Sequence, residues 1–306
     1  MSFTTIRLTV GRILLVAGIL VLLFIPYLLW GTGLQTAQSQ NLLRAQFKSE
    51  QHQAGVTTST TPATKPAGPA QVAPTEPQPA IGSAVGTIDI PEIGLQMVVV
   101  QGTDVIRLQQ GPGHYPNTPL PGEAGNAAIA GHRTTYLHPF YNLNELNPGN
   151  PIFITTTQGA FQYDVVSSQA VSPSDVSVVD ATTDPELTLT TCTPRYSASQ
   201  RLVVKAVLVA SALAHAPTTA PVTKTTTPAR STPAEHAAVT STPTRSWPVA
   251  IAWGLAVAAI ITGVWIAASR TRRGIRALVL GGGLVVWLVV VYAFFGALAP
   301  LLPASY

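Results

Sequence analysis

Cys192 is the only cysteine in 306 residues. It lies in Thr188-Leu189-Thr190-Thr191-Cys192-Thr193-Pro194, nine residues before Arg201. Sixty residues upstream, His132 ends the apolar run Ala128-Ile129-Ala130-Gly131. One thiol cannot form an internal disulfide, and it is a poor start for a zinc site. The chemistry that remains is a thiolate nucleophile served by a distant imidazole and a guanidinium. The imidazole would move protons, and the guanidinium would favour the thiolate and stabilise an oxyanion.

Each of these residues has a plainer reading. Lone cysteines are often buried and inert, although Cys192 sits at a strand end before Thr-Pro, where a side chain can face a cleft. His52, His215 and His236 fall in polar tracts, while His114 (Gly113-His114-Tyr115-Pro116) and His138 (His138-Pro139) lie in turns and compete with His132. Arg201 opens the strand after Cys192, so a hairpin returns it beside the thiol. Arg133 and Arg195 are rivals for its role, and a solvated arginine is the commoner fate of any one of them.

The elements that must position these residues lie in about 127 residues, 84–210, a normal size for one domain. Short β-branched runs bounded by Gly, Pro, Asn or Asp predict strands at Val85–Ile90, Met97–Val100, Ala127–Ala130, Pro151–Thr156, Gln162–Val166, Leu187–Thr191 and Leu202–Val209. Phe140–Leu146 and Val105–Gln109 read as helical. Many short strands with tight turns predict a mostly β fold, a small closed barrel with short helices.

Composition shifts mark the rest of the chain. Residues 34–83 begin with a polar helix (Leu34 to His52) and continue as a Pro/Thr/Ala-rich tract; residues 211–246 form a second such tract. Both read as disordered spacers, lacking the apolar content to offset their ordering entropy. Ile13 to Trp30, in a 1–33 anchor, is about eighteen apolar residues, and Arg7 and Arg12 before it favour a cytoplasmic N-terminus. A cleaved secretory signal is the other reading. Within 247–303, Pro248 to Ala268 and Ala277 to Leu302 form two more apolar runs, joined by a loop with four arginines. The expectation is three transmembrane helices in membrane lipid, with residues 31–247 extracellular.

The net charge is +4, yet residues 84–210 hold five Lys/Arg against ten Asp/Glu. The basic residues belong to the membrane flanks and tracts, which argues against nucleic-acid binding.

Thr188-Leu189-x-Thr191-Cys192, an arginine nine residues on and an upstream histidine after a strand together resemble the signature of the sortase family. The strings GHYPNTPLPGEAGNAAIAGHRTTY and LTLTTCTPRYSASQRLVVKA are similar to class E sortases of high-GC Gram-positive bacteria, over residues 85–210. The resemblance implies a closed-barrel cysteine transpeptidase on the outer membrane face. Cys192 would cleave the Thr–Gly bond of a Leu-Pro-x-Thr-Gly or Leu-Ala-x-Thr-Gly sorting signal on a secreted protein. An amine of a cell-wall precursor would then resolve the thioacyl enzyme. His132 would be the acid and base, Arg201 would orient the peptide and stabilise the oxyanion, and Thr191 would shape the groove. No cofactor is implied, and without an acidic cluster no metal is expected. C-terminal spans resemble the pilus-polymerising sortases, which join subunits through a lysine, but residues 31–84 hold no Asp-Pro-aromatic lid. A non-catalytic peptide-binding wall protein is the alternative outside enzymes.

Overall fold

A computed structural model describes residues 3–53, 68–213, 247–271 and 273–299. The chain divides into two compact units, one made of Met1–Thr32 with Thr242–Ala304 and the other spanning Gly33–Ser241. In chain order the helices are α1 (Phe3–Pro26), α2 (Thr32–Gln53), α3 (Val105–Leu108), α4 (Trp247–Arg270) and α5 (Arg273–Leu298). The strands are β1 (Gly68–Pro69), β2 (Ala84–Ile90), β3 (Leu95–Gln101), β4 (Gly113–His114), β5 (Asn126–Ala130), β6 (Pro151–Thr156), β7 (Gly159–Val171), β8 (Glu186–Thr193) and β9 (Gln200–Leu213).

The strands form one sheet in the order β1-β9-β7-β6-β2-β3-β4-β5-β8, and β8 also pairs with β9. That last pairing closes eight strands, β2 to β9, into a barrel and leaves β1 on its outside. Alternation in the sequence dictates which side chains point inward. In β8, Leu187 and Leu189 enter the core with Val204 and Ala206 of β9, Ile88 and Ile90 of β2, and Phe161 and Tyr163 of β7. Each fully buried aliphatic side chain contributes about 1.5–3 kcal/mol. Thr188, Thr190 and Cys192 therefore project outward from β8. The fold class is thus mostly β with short helices, and the predicted strands are present with longer ends on β7, β8 and β9. The predicted helix at Phe140–Leu146 reduces to a 3-10 turn at Leu143–Glu145, because Phe140 and Leu143 are drawn into the core.

Two expectations about the flanks change. The Pro/Thr/Ala-rich tract is not a free spacer where the structure describes it. Residues 68–83 form a strap along the barrel: Gly68 and Pro69 pair with β9, the Ala73 amide donates to Gly122 O at 2.8 Å, and Ala73 is buried. The Glu76 amide donates to Glu123 Oε1, and the Gln158 amide group donates to Pro74 O. Backbone partners supply the ordering that composition alone does not. The helix predicted at Leu34–His52 exists as α2, but it docks on the barrel through Leu43 and Phe47 against Ala84, Val98 and Val100. Gln40 accepts from the Val98 amide and donates to Val98 O and Gln110 O, at 2.8, 2.9 and 2.9 Å. Its side chain takes the place of a strand neighbour that the two-residue β4 is too short to supply. The tract 211–246 lies outside the described residues beyond Leu213.

In the other unit, two helices among the described residues are long and apolar enough to cross a membrane, Trp247–Arg270 and Val279–Leu298. The expected third span is not among those two. The run that reads as Ile13 to Trp30 lies in α1 up to Pro26 and continues as a π-helical turn at Tyr27–Gly31. Among the described residues its apolar α-helical part is counted over Leu14–Pro26, within the 24-residue helix α1. Tyr27 packs with Val257, Val291 and Phe295. Leu255, Trp265 and Val289 are each more than 60% exposed, as lipid-facing side chains would be.

Candidate active site

The site is built where β5 and β8 run parallel and β8 turns back into β9. The β5–β8 register pairs Ala128 with Thr188 and Ala130 with Thr190. The ladder continues one residue past β5 as the Gly131 amide donates to Thr190 O at 3.0 Å. The next residue, His132, is thereby carried level with Cys192. The antiparallel β8–β9 register pairs Cys192 directly with Arg201, so their side chains leave the same face of the sheet. Cys192, His132 and Arg201 line one pocket of about 220 Å³ with Thr190, Thr191 and Tyr115.

Local chemistry fixes these positions. Gly131 has no room for a side chain, since a Cβ there would lie 2.6 Å from the Phe140 ring. The close approach of Phe140 is what seats the backbone entering His132. Thr191 is buried, and its hydroxyl donates to Gly131 O at 2.7 Å, tying β8 to the segment that carries His132. Its hydroxyl is thus spent on the scaffold, although the residue still borders the pocket. The Tyr115 and Thr190 hydroxyls lie 3.2 Å apart and line the same pocket as His132. The His132 ring packs on Tyr136 with centroids 5.0 Å apart.

The rival residues have other occupations. His114 is fully buried, with Nδ1 on Gln101 and Nε2 on Pro119 O, both at 2.9 Å. His138 is exposed on the loop after His132 and does not line the pocket. Arg195 stacks over Tyr141 at 4.2 Å and pairs with Glu145 at 3.5 Å. Arg133 lies behind the cysteine, its Nη1 donating to Cys192 O at 3.1 Å. Arg201 lines the pocket, with Nη1 held by Ala198 O and Gln200 O.

Burial dominates the electrostatics. It lowers the His132 pKa to about 4 and pushes the Cys192 thiol up, while the Arg201 and then the Arg133 guanidinium draw the thiol back down. The resting pair at neutral pH is a thiol beside a neutral imidazole. No group of three His, Cys, Asp or Glu side chains able to hold a metal ion occurs among the described residues.

A second cavity of about 250 Å³ adjoins the first, sharing Thr103, Tyr115, Thr190 and Arg201. Pro116 lies on one side, and the β7–β8 loop lines the other with Pro173, Val176, Val178 and Val179. The sequence reading missed this valine-rich wall. Its signal was the run Val176 to Val179 between two strands, where an apolar loop has no core to enter.

The family model for the Sortase domain matches residues 88–209. Sortase SrtE1 of Streptomyces coelicolor is 31% identical over 211 residues, covering 64% of this chain and 55% of that protein. This chain therefore spans about half the length of that relative. Sortase D of Bacillus subtilis is 30% identical over 182 residues, covering 59% of this chain and 86% of that protein. The solved sortase E of Streptomyces avermitilis is 34% identical, with a TM-score of 0.40 over 45% of this chain and 97% of that one.

Proposed function

Because this chain belongs to the sortase family, a family of cysteine transpeptidases, we propose that it cleaves a sorting signal at Cys192 and transfers the acyl part to an amine. The observation that carries this reading is the convergence of Cys192, His132 and Arg201 on one pocket from three separate strand ends. The substrate is a secreted protein ending in a Leu-Pro-x-Thr-Gly or Leu-Ala-x-Thr-Gly signal, and the acceptor is an amine of a cell-wall precursor.

The steps follow from the protonation states. Cys192 passes its proton to His132 as its sulfur attacks the threonine carbonyl carbon. Few molecules hold thiolate and imidazolium together at rest, since burial opposes both charges. The forming oxyanion lies within reach of the Arg201 guanidinium, whose planar fork of donors suits it. The imidazolium gives its proton to the departing glycine nitrogen, leaving a thioester on Cys192. The acceptor amine loses a proton to His132, attacks the thioester and releases the thiol. The adjoining cavity supports an extended peptide whose apolar side chain rests on Val176, Val178 and Val179, with Thr191 framing the scissile bond from behind.

The membrane reading rests on α4 and α5. The facing ends of these helices and the link between them carry Arg270, Arg272, Arg273 and Arg276, which favours the cytoplasmic side. The hairpin's outer ends, and with them the barrel, then lie outside the cell.

Purified full-length chain, a labelled signal peptide and two acceptors test the reading. A glycine-type amine acceptor is expected to yield ligated peptide, and a lysine-bearing protein acceptor is not. Ligation only to the lysine would replace wall anchoring by subunit polymerisation. No ligation to either would remove the transferase reading.

A further inference from the structure

Arg133 follows His132 directly, and it is 5% exposed. Its three donor nitrogens are all engaged: Nε donates to Tyr141 O at 2.8 Å, Nη1 to Cys192 O at 3.1 Å and Nη2 to Asn144 Oδ1 at 2.7 Å. Every acceptor is neutral, and none of the described ion pairs includes Arg133. The nearby carboxylate, Glu145, pairs with Arg195 instead. A buried cation without an anion is expensive, so a mere cross-link would be cheaper to build from an amide. The residue that receives this uncompensated charge is the nucleophile itself, through its own carbonyl.

We propose that Arg133 is a positioning residue for the reaction: it clamps the Cys192 main chain to the loop leaving His132 and keeps an unneutralised positive charge beside the thiol. One bond network thereby fixes the distance between nucleophile and acid–base residue and favours the thiolate as it forms. The inference rests on the reading of Cys192 as the nucleophile. The groups facing Cys192 are His132 and Arg133 from the loop after β5, Tyr115 from the loop after β4 and Arg201 from β9. Those facing Arg133 are Arg195, Tyr141 and Glu145. Of the cations, Arg201 is the larger influence on the thiol and Arg133 the second.

The pH dependence of iodoacetamide alkylation at Cys192 in the full-length protein tests this without any peptide substrate. In Arg133→Met the alkylation midpoint is expected to rise by about one pH unit, with alkylation near neutral pH slowed about tenfold. Arg133→Lys restores a cation and is expected to bring the midpoint back close to wild type; a midpoint as high as that of the Met variant would overturn the charge assignment. Asn144→Asp is the decisive variant, and it alone decides if Arg133→Met does not fold. Its carboxylate would neutralise the guanidinium while retaining the 2.7 Å contact, with Arg195 Nη2 farther off at 3.3 Å from the same oxygen, so the melting temperature should hold or rise as the alkylation midpoint rises. A folded Asn144→Asp protein with the wild-type alkylation profile would reduce Arg133 to a structural cross-link. A wild-type chain that forms no thioacyl adduct would instead count against the transpeptidase reading and leave the alkylation comparison intact.

Discussion

At the scale of the residue, the site works against its own burial. Removing water lowers the His132 pKa to about 4 and raises that of the Cys192 thiol, so both charged forms are disfavoured. The competent form carries one proton shared between thiol and imidazole, and it dominates between the two pKa values whichever group holds that proton. The profile of kcat/KM against pH should therefore have an acid limb near pH 4 and an alkaline limb above the ordinary thiol range. Arg201→Met should move the alkaline limb further up, because the largest influence lowering the thiol is that cation; an unmoved limb would assign the field to another group. Arg201→Lys keeps a charge but loses the planar fork, and a loss of about 10²–10³ in kcat is expected from steady-state kinetics. Cys192 and Arg201 were legible in the sequence because an offset of nine residues across one strand-to-strand turn can bring them into register. His132 was not separable from His114 by spacing alone. The structure separates them by partners: both His114 nitrogens are bound to Gln101 and Pro119.

At the scale of the element, the site depends on how strand ends are held. Gly131→Ala would drive a Cβ into the Phe140 ring and displace the backbone leading into His132. Activity should fall at least tenfold with a measurable drop in melting temperature; wild-type turnover would mean that the Phe140 contact does not seat the histidine. Gln40→Ala would leave the Val98 amide and carbonyl without their side-chain partner, at a cost of about 1–3 kcal/mol, read by urea unfolding of the barrel unit. The strands themselves were readable from alternation and β-branched runs. The strap at residues 68–83 and the docking of α2 were not. The strap is held by isolated bonds to backbone and to the Glu123 and Gln158 side chains, and α2 by Gln40 and one apolar pair, Leu43 and Phe47, too little to show as a pattern. Similarly, Phe140 and Leu143 show helical spacing, yet both are consumed by the core of a barrel.

At the scale of the whole molecule, stability and location carry the tests. His114 and His132 have folded-state pKa values near 4, below their unfolded value of about 6.5. Between those values the unfolded chain binds more protons, so stability falls as pH drops through this window and levels off below it. Asp89 and Glu123 have raised values and act in the opposite sense, so the histidine contribution is best read as a difference. A His114→Gln variant should lose less melting temperature between pH 7 and pH 4.5 than wild type; equal losses would assign the acid sensitivity elsewhere. The two C-terminal spans were legible as apolar runs with an arginine loop. The N-terminal run was legible as apolar, and its helix continues past Pro26 as a π-turn that composition does not announce. The central claim is that Cys192 becomes acylated by a sorting signal. The measurement is intact mass spectrometry of the full-length protein incubated with Leu-Ala-x-Thr-Gly and Leu-Pro-x-Thr-Gly peptides in the absence of an amine. The account predicts a mass increase equal to the acyl fragment through threonine, mapped to Cys192 and absent from Cys192→Ala. A folded protein whose Cys192 alkylates normally but acquires no adduct from either peptide would contradict it.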